Sequence, residues 1–479
     1  KLFFQLPNCA IWVMALTSDN EESLASVNAL LKRNDDSKEP NSPHPIWTSE
    51  MLLLFLVMVF WSSDNMALPA VYAEIAQTFG LTVSDLSILG LVRGIFESVC
   101  ALPAGILAER LERPWLIAWG CCIWAGALGA CAFAPNLRWM IVFRAANGIG
   151  LGMVQPLLFS LVADKTGANG RGRAFGMLLC IGTLGQTAST AFATSIAQWQ
   201  FGPLMGWQLA LVLIAAMSAF IGILVGCLVT DAEQAILVEM PRYGQIFRLP
   251  TFMIIIGQGI FGTAPWFAFS YLTMWLELNC FANYQAAFIY TCFNLGTAVS
   301  SVLGGFLLDA LCHRFPDHGP PAMAQSAAFL SIPLFGIIFF VLGSTSGADV
   351  NHLISVYCFT FFVTGTLISW NMVVNNKMMS DVVPNKSYTY IYALDRAIEG
   401  TFGSLGQPCV GWLADHMFQY NPNRANTLKC SPSDATSLGQ GVFSVCVSGC
   451  GVCFFLFSLA HCTYPRDRRR DWELGSSLQ

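Results

Sequence analysis

Gly105-Ile106-Leu107-Ala108-Glu109-Arg110-Leu111-Glu112-Arg113 closes one long apolar run, and the next opens at Trp115. A small glycine, an acid and two arginines are packed into a turn too short to reach far from a membrane. The phrase returns two hundred residues later as Gly305-Phe306-Leu307-Leu308-Asp309, followed by His313-Arg314. A third echo, Gly411-Trp412-Leu413-Ala414-Asp415, closes another apolar run. A small-x-apolar-apolar-acid phrase at the ends of hydrophobic segments is the mark of an internally duplicated membrane protein.

Composition agrees. Of 479 residues, 55% are hydrophobic and 11% charged, against about 25% charged in an average soluble chain. A soluble fold could not hide that much apolar surface, and lipid is the solvent that fits. No basic stripe interleaved with aromatics points to nucleic acid. Most of the 17 cysteines lie inside apolar runs, where they act as small hydrophobes. None has metal-site spacing, so neither a metal nor a cofactor is expected. Cys280 and Cys430 both fall outside the apolar runs, and a disulfide between them requires that their separation suit one.

Residues 1–50 read as a tail, loosely apolar at first and then polar, charged and disordered. From Met51 on, apolar runs of helix-spanning length alternate with short polar breaks. Twelve are expected, at 51–75, 84–108, 115–134, 138–162, 174–197, 207–230, 251–277, 284–309, 323–343, 352–376, 387–413 and 439–462. The polar stretch 231–250 splits them into six-helix bundles over 51–230 and 251–462, and 463–479 forms a basic tail. The expected fold is therefore an all-α membrane protein of twelve transmembrane helices in two pseudo-symmetric bundles. With the amino terminus inside, only Arg138, Arg424 and Lys429 fall on the outer side. Arg93, Arg144 and Arg396 lie within spans, and every other lysine and arginine falls on the inner side. That bias places both termini in the cytoplasm or its topological equivalent.

Two sixes with an acid-basic turn after spans two and eight resemble the major facilitator superfamily. Arg144-Ala145-Ala146-Asn147-Gly148-Ile149-Gly150-Leu151-Gly152 in span four is similar to the family's R-x-x-x-G-x-G-x-G signature. The first turn departs from the family pattern at Glu109, Glu112 and Pro114, and span five lacks the Gly-Pro phrase of the antiporters. Ser63-Asp64-Asn65-Met66-Ala67-Leu68-Pro69 resembles the spinster-type branch, whose members export lysolipid-like amphiphiles. Leu367-Ile368-Ser369-Trp370-Asn371 and Tyr392-Ala393-Leu394-Asp395-Arg396 are similar to uncharacterised plant, algal and protist members. The resemblance implies the major facilitator fold and alternating access. It does not supply a substrate, because one fold serves many.

Charges at membrane depth cost about 2.5–3.5 kcal/mol each on insertion scales and so face a partner or a cavity. Asp64, Glu97, Asp395 and Glu399 are the candidate proton-coupling acids, with Arg93, Arg144 and Arg396 as their charge partners. Arg93 and Glu97, four apart, share a helix face, so mutual neutralisation is the plain reading of that pair and of Arg396 with its acids. Asp64 has no base at helical spacing in its own span and must be protonated or paired across helices. Burial disfavours the charged carboxylate and a nearby arginine favours it. A balance between the two suits a proton-coupling site.

By the resemblance, spans one, four, seven and ten line a central cavity. Their polar and aromatic members are Ser63, Asn147, Gln155, Gln258, Trp266, Tyr271, Trp370, Asn371 and Asn375. Amides and indoles can orient a polar head and aromatics can hold an apolar body. The bland alternative for each amide is interhelical hydrogen bonding, about 0.6 kcal/mol apiece. Gly105, Glu109, Arg110 and Arg113, with Gly305, Asp309 and Arg314, form the expected inner gate. Its charges pair across the halves and its glycines permit close approach. The expected function is secondary transport of a small organic solute or amphiphile, driven by protons, by a monomer among membrane lipids. The alternative is a transporter-shaped receptor or scaffold within a larger membrane complex. No catalytic constellation is present, so no enzyme is expected.

Overall fold

A computed structural model describes residues 48–108, 111–231, 247–343, 350–383, 388–421 and 431–469. The tail up to residue 47, Glu109, Arg110, most of the 231–250 linker, Cys430 and the basic tail from residue 470 lie outside the described residues.

The chain runs through α1 (Ser49–Ala67), α2 (Tyr72–Phe79), α3 (Val83–Leu107), α4 (Arg113–Ala132), α5 (Leu137–Ile196) and α6 (Gly206–Leu228). It continues through α7 (Pro250–Ala268), α8 (Leu272–Leu278), α9 (Asn283–Arg314), α10 (Gly319–Gly336), α11 (Ile354–Ile368) and α12 (Asn371–Val382). The last helices are α13 (Tyr388–Gly403), α14 (Gly406–Trp412) and α15 (Pro432–Arg468). A two-residue hairpin, β1 (Gln200–Phe201) on β2 (Leu204–Met205), pairs Gln200 with Met205 before α6.

Among the described residues, 11 helical stretches are long and apolar enough to cross a membrane. Eleven of the twelve expected spans match one stretch each with shifted ends. The tenth expected span, 352–376, runs on to Val382 through a turn between α11 and α12. The eleventh, 387–413, departs from expectation: it is broken into α13 and α14. Asp395, Arg396 and Glu399 deny α13 a continuous apolar stretch, and the chain turns at Ser404-Leu405.

The first and seventh spans are broken in the same way. A 3-10 turn at Pro69–Val71 joins α1 to α2, and one at Phe269–Tyr271 joins α7 to α8. At the first turn Pro69 lacks an N–H to continue the α-helical ladder. The repeat then holds residue by residue. Gly80 and Cys280 both take positive φ, at 65° and 75°. Leu81 N–H donates to Ala76 O and Phe281 N–H to Leu276 O, at 3.1 and 3.2 Å. Asp85 accepts from the backbone of Thr82 as Gln285 does from Ala282, at 3.0 and 2.9 Å. The duplication read from the acid-containing phrases is thus also a duplication of backbone geometry.

Helix α5 carries two spans, Leu137–Thr166 and Ala174–Ile196. Trp61 Nε1–H donates to Leu151 O at 3.2 Å and Ser63 Oγ to Gly185 O at 3.1 Å. A straight helix would hold residues 151 and 185 roughly 50 Å apart, yet both meet the same turn of α1. The chain therefore doubles back between the two spans.

One end of the bundle, here the basic end, is held by ion pairs in the first half and by hydrogen bonds to buried or half-buried acids in the second. Arg113 bridges Asp164 and Asp231, each at 2.6 Å. Lys165 pairs with Glu50 at 2.7 Å, and Glu50 also accepts from Thr230. In the second half Asp467 accepts from Thr251 N–H at 2.9 Å and Asp381 from Tyr464 at 2.6 Å. A buried cluster including Phe252, Ile255, Val374, Met378 and Phe457 lies beneath these contacts. At the opposite, distal end Cys280 is disulfide-bonded. Cys430 is not described, but its neighbour Ser431 donates its N–H to Leu278 O at 3.0 Å.

Where helices approach most closely, glycine is required. A Cβ on Gly152 would fall onto the carbonyl of Glu97, and one on Gly148 would lie 2.5 Å from Arg93 O. Gly105 and Gly305 differ from expectation: a Cβ at either would meet nothing within 4 Å, so neither serves close approach in this conformation. Gly152→Leu is expected to cost at least about 1–3 kcal/mol by overpacking, read as a lowered unfolding temperature in detergent. Gly105→Ala and Gly305→Ala are expected to stay within about 0.5 kcal/mol of the parent.

Candidate functional site

Asp64 is placed by α1, one turn before the chain breaks at Pro69. Its side chain is fully buried, at 0% exposure, and Arg144 beside it is 1% exposed. One carboxylate oxygen, Oδ2, lies 3.9 Å from both Arg93 Nε and Arg144 Nη1. The other, Oδ1, accepts from Asn147 Nδ2 at 3.1 Å. Asn147 in turn accepts from Arg144 Nη1 at 2.9 Å and donates to Trp124 O at 3.3 Å. Arg93 pairs with Glu97 at 2.9 Å and donates to Asn65. Three helices, α1, α3 and α5, thus meet around one carboxylate.

The charges balance: two carboxylates face two guanidiniums. The hydrogen bonding around Asp64 is nonetheless incomplete. Asp64 Oδ2, Arg93 Nε and Arg144 Nε are all buried without a hydrogen-bond partner. Desolvation opposes the charge on Asp64 and the two arginines oppose its loss. A proton arriving at Asp64 would leave an excess positive charge in a dehydrated site. Such a change is large enough to alter helix packing.

The second half carries a smaller counterpart on α13. Asp395 is 0% and Glu399 2% exposed, and Arg396 reaches both, at 3.2 and 2.6 Å. Its guanidinium also lies 5.3 Å over the Tyr392 ring. Glu399 presses on α7, where a Cβ on Gly259 would collide with its carboxyl. Ser98 of α3 packs against Gly400 of α13, so the two charged groups flank the crossing of the halves.

The expected cavity residues are dispersed. Ser63 donates to Val59 O and Gly185 O, toward α5. Gln258 is buried and donates to Ile255 O in its own helix. Gln155 is half-buried, and Trp266 is 43% exposed beside Phe269 and Phe293. Tyr271 is buried at the distal end, its hydroxyl 3.4 Å from Val83 O. Trp370, Asn371 and Asn375 cluster at the break between α11 and α12, each with a buried polar atom lacking a partner. Of the expected inner gate, Arg113 is engaged within its own half, whereas Asp309 and Arg314 are exposed.

Contacts between the halves concentrate toward the distal end. Ser84 N–H donates to Asp415 at 2.9 Å, Asn283 to Glu74 at 2.7 Å and Gln198 to Asn283 at 2.7 Å. Thr273 Oγ reaches Pro69 O at 3.4 Å. Gly90 packs under Gln407 and Gly94 beside Ser404. Sequence reasoning missed Glu74 and Glu277. Each sits at the end of an expected span; the available signal was that both acids close apolar runs in matching spans. Among the described residues no group of three metal-ligating side chains converges.

The Major Facilitator Superfamily profile matches residues 53–333, more than half of the chain. The chain belongs to the major facilitator superfamily. It is 23% identical over 415 residues to protein spinster of Drosophila melanogaster, covering 81% of this chain and 64% of that protein. Over 169 residues it is 28% identical to the niacin transporter NiaP of Acinetobacter baylyi, covering 35% of this chain and 37% of that protein. The chain therefore spans less than two thirds of these relatives. Among solved structures, a bacterial homologue of the human lysosomal transporter Spinster, inward-facing and unoccupied, superposes with a TM-score of 0.74 at 17% identity. That match covers 90% of this chain and all of the homologue. The fold is that of a spinster-like major facilitator protein, and the concentration of cross-half contacts at one end accords with one face being shut.

Removing one member of the buried cluster leaves its partner charged and unpaired, a loss of about 3–5 kcal/mol. Arg144→Gln is expected to lower thermal stability by that order. Asp64→Asn combined with Arg144→Gln should recover part of the loss, and a double-mutant cycle of unfolding temperatures in detergent measures the coupling.

Proposed function

We propose that the protein is a proton-coupled secondary transporter of a small organic solute or amphiphile, working by alternating access between halves 51–230 and 251–462. The observation that carries this reading is a carboxylate, Asp64, buried between two arginines from two other helices yet hydrogen-bonded through only one of its oxygens. A carboxylate so placed exchanges its proton when the site is hydrated from one face and then the other. Asp395 and Glu399 form the second acidic group across the α3–α13 crossing. The family membership and the niacin transporter and spinster relatives support solute movement as the task.

In this reading Asp64 carries the coupling proton, and Arg93, Arg144 and Glu97 set its affinity for that proton. Polar atoms at the α11–α12 break are the candidate contacts for a substrate head group, and both termini face the cytoplasm. The halves close toward the basic end when Asp309 and Arg314 find partners across the gap.

The test is flux in proteoliposomes, after a thermal-shift screen of organic acids, amines and lysolipids has supplied a substrate. Wild-type uptake is expected to accelerate at least tenfold under an imposed pH gradient. Asp64→Asn is expected to lose that acceleration while retaining exchange without a gradient. Gradient-driven uptake by Asp64→Asn at the wild-type rate would refute the coupling role. No flux of any screened solute by folded protein would favour the receptor or scaffold reading.

A further inference from the structure

The distal contact between the halves contains two acids that the transport reading does not use. Glu74 on α2 and Glu277 on α8 are 6% and 7% exposed. The helices that carry them pack on each other across the halves, and Glu74 is the charged neighbour of Glu277. Glu74 Oε1 accepts from Asn283, which accepts from Gln198, whereas Glu74 Oε2 and Glu277 Oε1 are buried without a hydrogen-bond partner. Neither acid makes an ion pair among the described residues. Glu277 borders a cavity of about 390 Å³ with Gln77, Gln198, Asn283, Tyr284 and Tyr420, and among the described residues no lysine, arginine or histidine lines it.

The other titratable groups nearby do not neutralise the pair. Tyr72 shares α2 with Glu74, and Tyr284 opens α9. Tyr420 is buried, and burial together with Asp434 and Asp415 pushes its phenol well up, so it stays neutral. Asp434 is held by Ser431 and by Asn421 N–H, and Asp415 by Ser84 N–H. Asp434 and Asp415 lie beside Tyr420 and bring no positive charge.

Two ionised carboxylates buried at one helix–helix contact are costly without a counter-charge. We infer that Glu74 and Glu277 form a distal proton site, which holds a proton while the two halves are closed over it and releases that proton when they part and water enters. The inference rests on the alternating-access reading but not on Asp64 as the coupling site. The sign follows from linkage. The shut state binds one more proton than the open state, so low pH favours the shut distal face and high pH the open one. One released proton changes the open-to-shut ratio by up to about tenfold per pH unit.

Hydrogen–deuterium exchange of the full chain in nanodiscs tests this without any substrate. Amide exchange in 72–82 and 272–285, corrected for intrinsic rate, is expected to speed up severalfold between pH 5.5 and 8. In Glu74→Gln/Glu277→Gln exchange is expected to stay slow at pH 8, because the neutral amides need no proton to remain buried. Glu277→Gln alone, a milder change, is expected to flatten the pH response. The proposal is overturned if wild-type exchange in these helices is independent of pH, or if the double variant keeps the full response. It is also overturned if 100 mM sodium chloride at pH 8 slows exchange in the wild type but not in the double variant, while equimolar choline chloride does not. That result would make the pair a metal-cation site. Because the readout is local exchange and not flux, it succeeds or fails independently of the transport assay.

Discussion

Asp64 is the constraint around which the first half is assembled. A carboxylate cannot be taken out of water at this depth unless other groups replace the hydration it loses. Arg93 and Arg144 supply the charge, Asn147 supplies a hydrogen bond, and Glu97 balances the second arginine. These four come from α3 and α5, so one charge requirement aligns three helices in depth and rotation. The glycines of α5 serve the same end: Gly148 and Gly152 let that helix lie against the backbone of α3 at Arg93 and Glu97. Without that approach Arg144 and Arg93 would not reach the same oxygen.

The second half answers with a different arrangement. Its central charges among the described residues sit on α13, with Arg396 between Asp395 and Glu399, and Glu399 presses on α7 at Gly259. The two halves share backbone geometry at their repeated turns but not the chemistry at their centres.

Much of this was legible in the sequence, for physical reasons. Lipid demands long apolar helices, so the spans stood out, and the repeated acid after Gly105 and Gly305 gave the duplication. Charges are rare at membrane depth, so Asp64, Arg93, Arg144, Asp395 and Glu399 identified themselves. What the sequence withheld was pairing in space. Asp64 had two cross-helix partners available, and only the packing of α1, α3 and α5 brings both to one oxygen. Hydropathy also concealed the breaks in the helices, because a 3-10 turn at Phe269–Tyr271 is as apolar as the helices beside it. Glu74 and Glu277 were concealed for the opposite reason: an acid at the end of a span looks like an acid in water until a second helix covers it.

The staple at Arg113 has a consequence for how the molecule is strung together. Asp231 is pinned to Arg113 at the foot of α4, and the next described residue is Phe247. The peptide between them can extend to about 50 Å. Ser84 on Asp415 and Asn283 on Glu74 join the facing surfaces directly, so severing the chain between residues 231 and 247 would be expected to leave the bundles associated as two polypeptides.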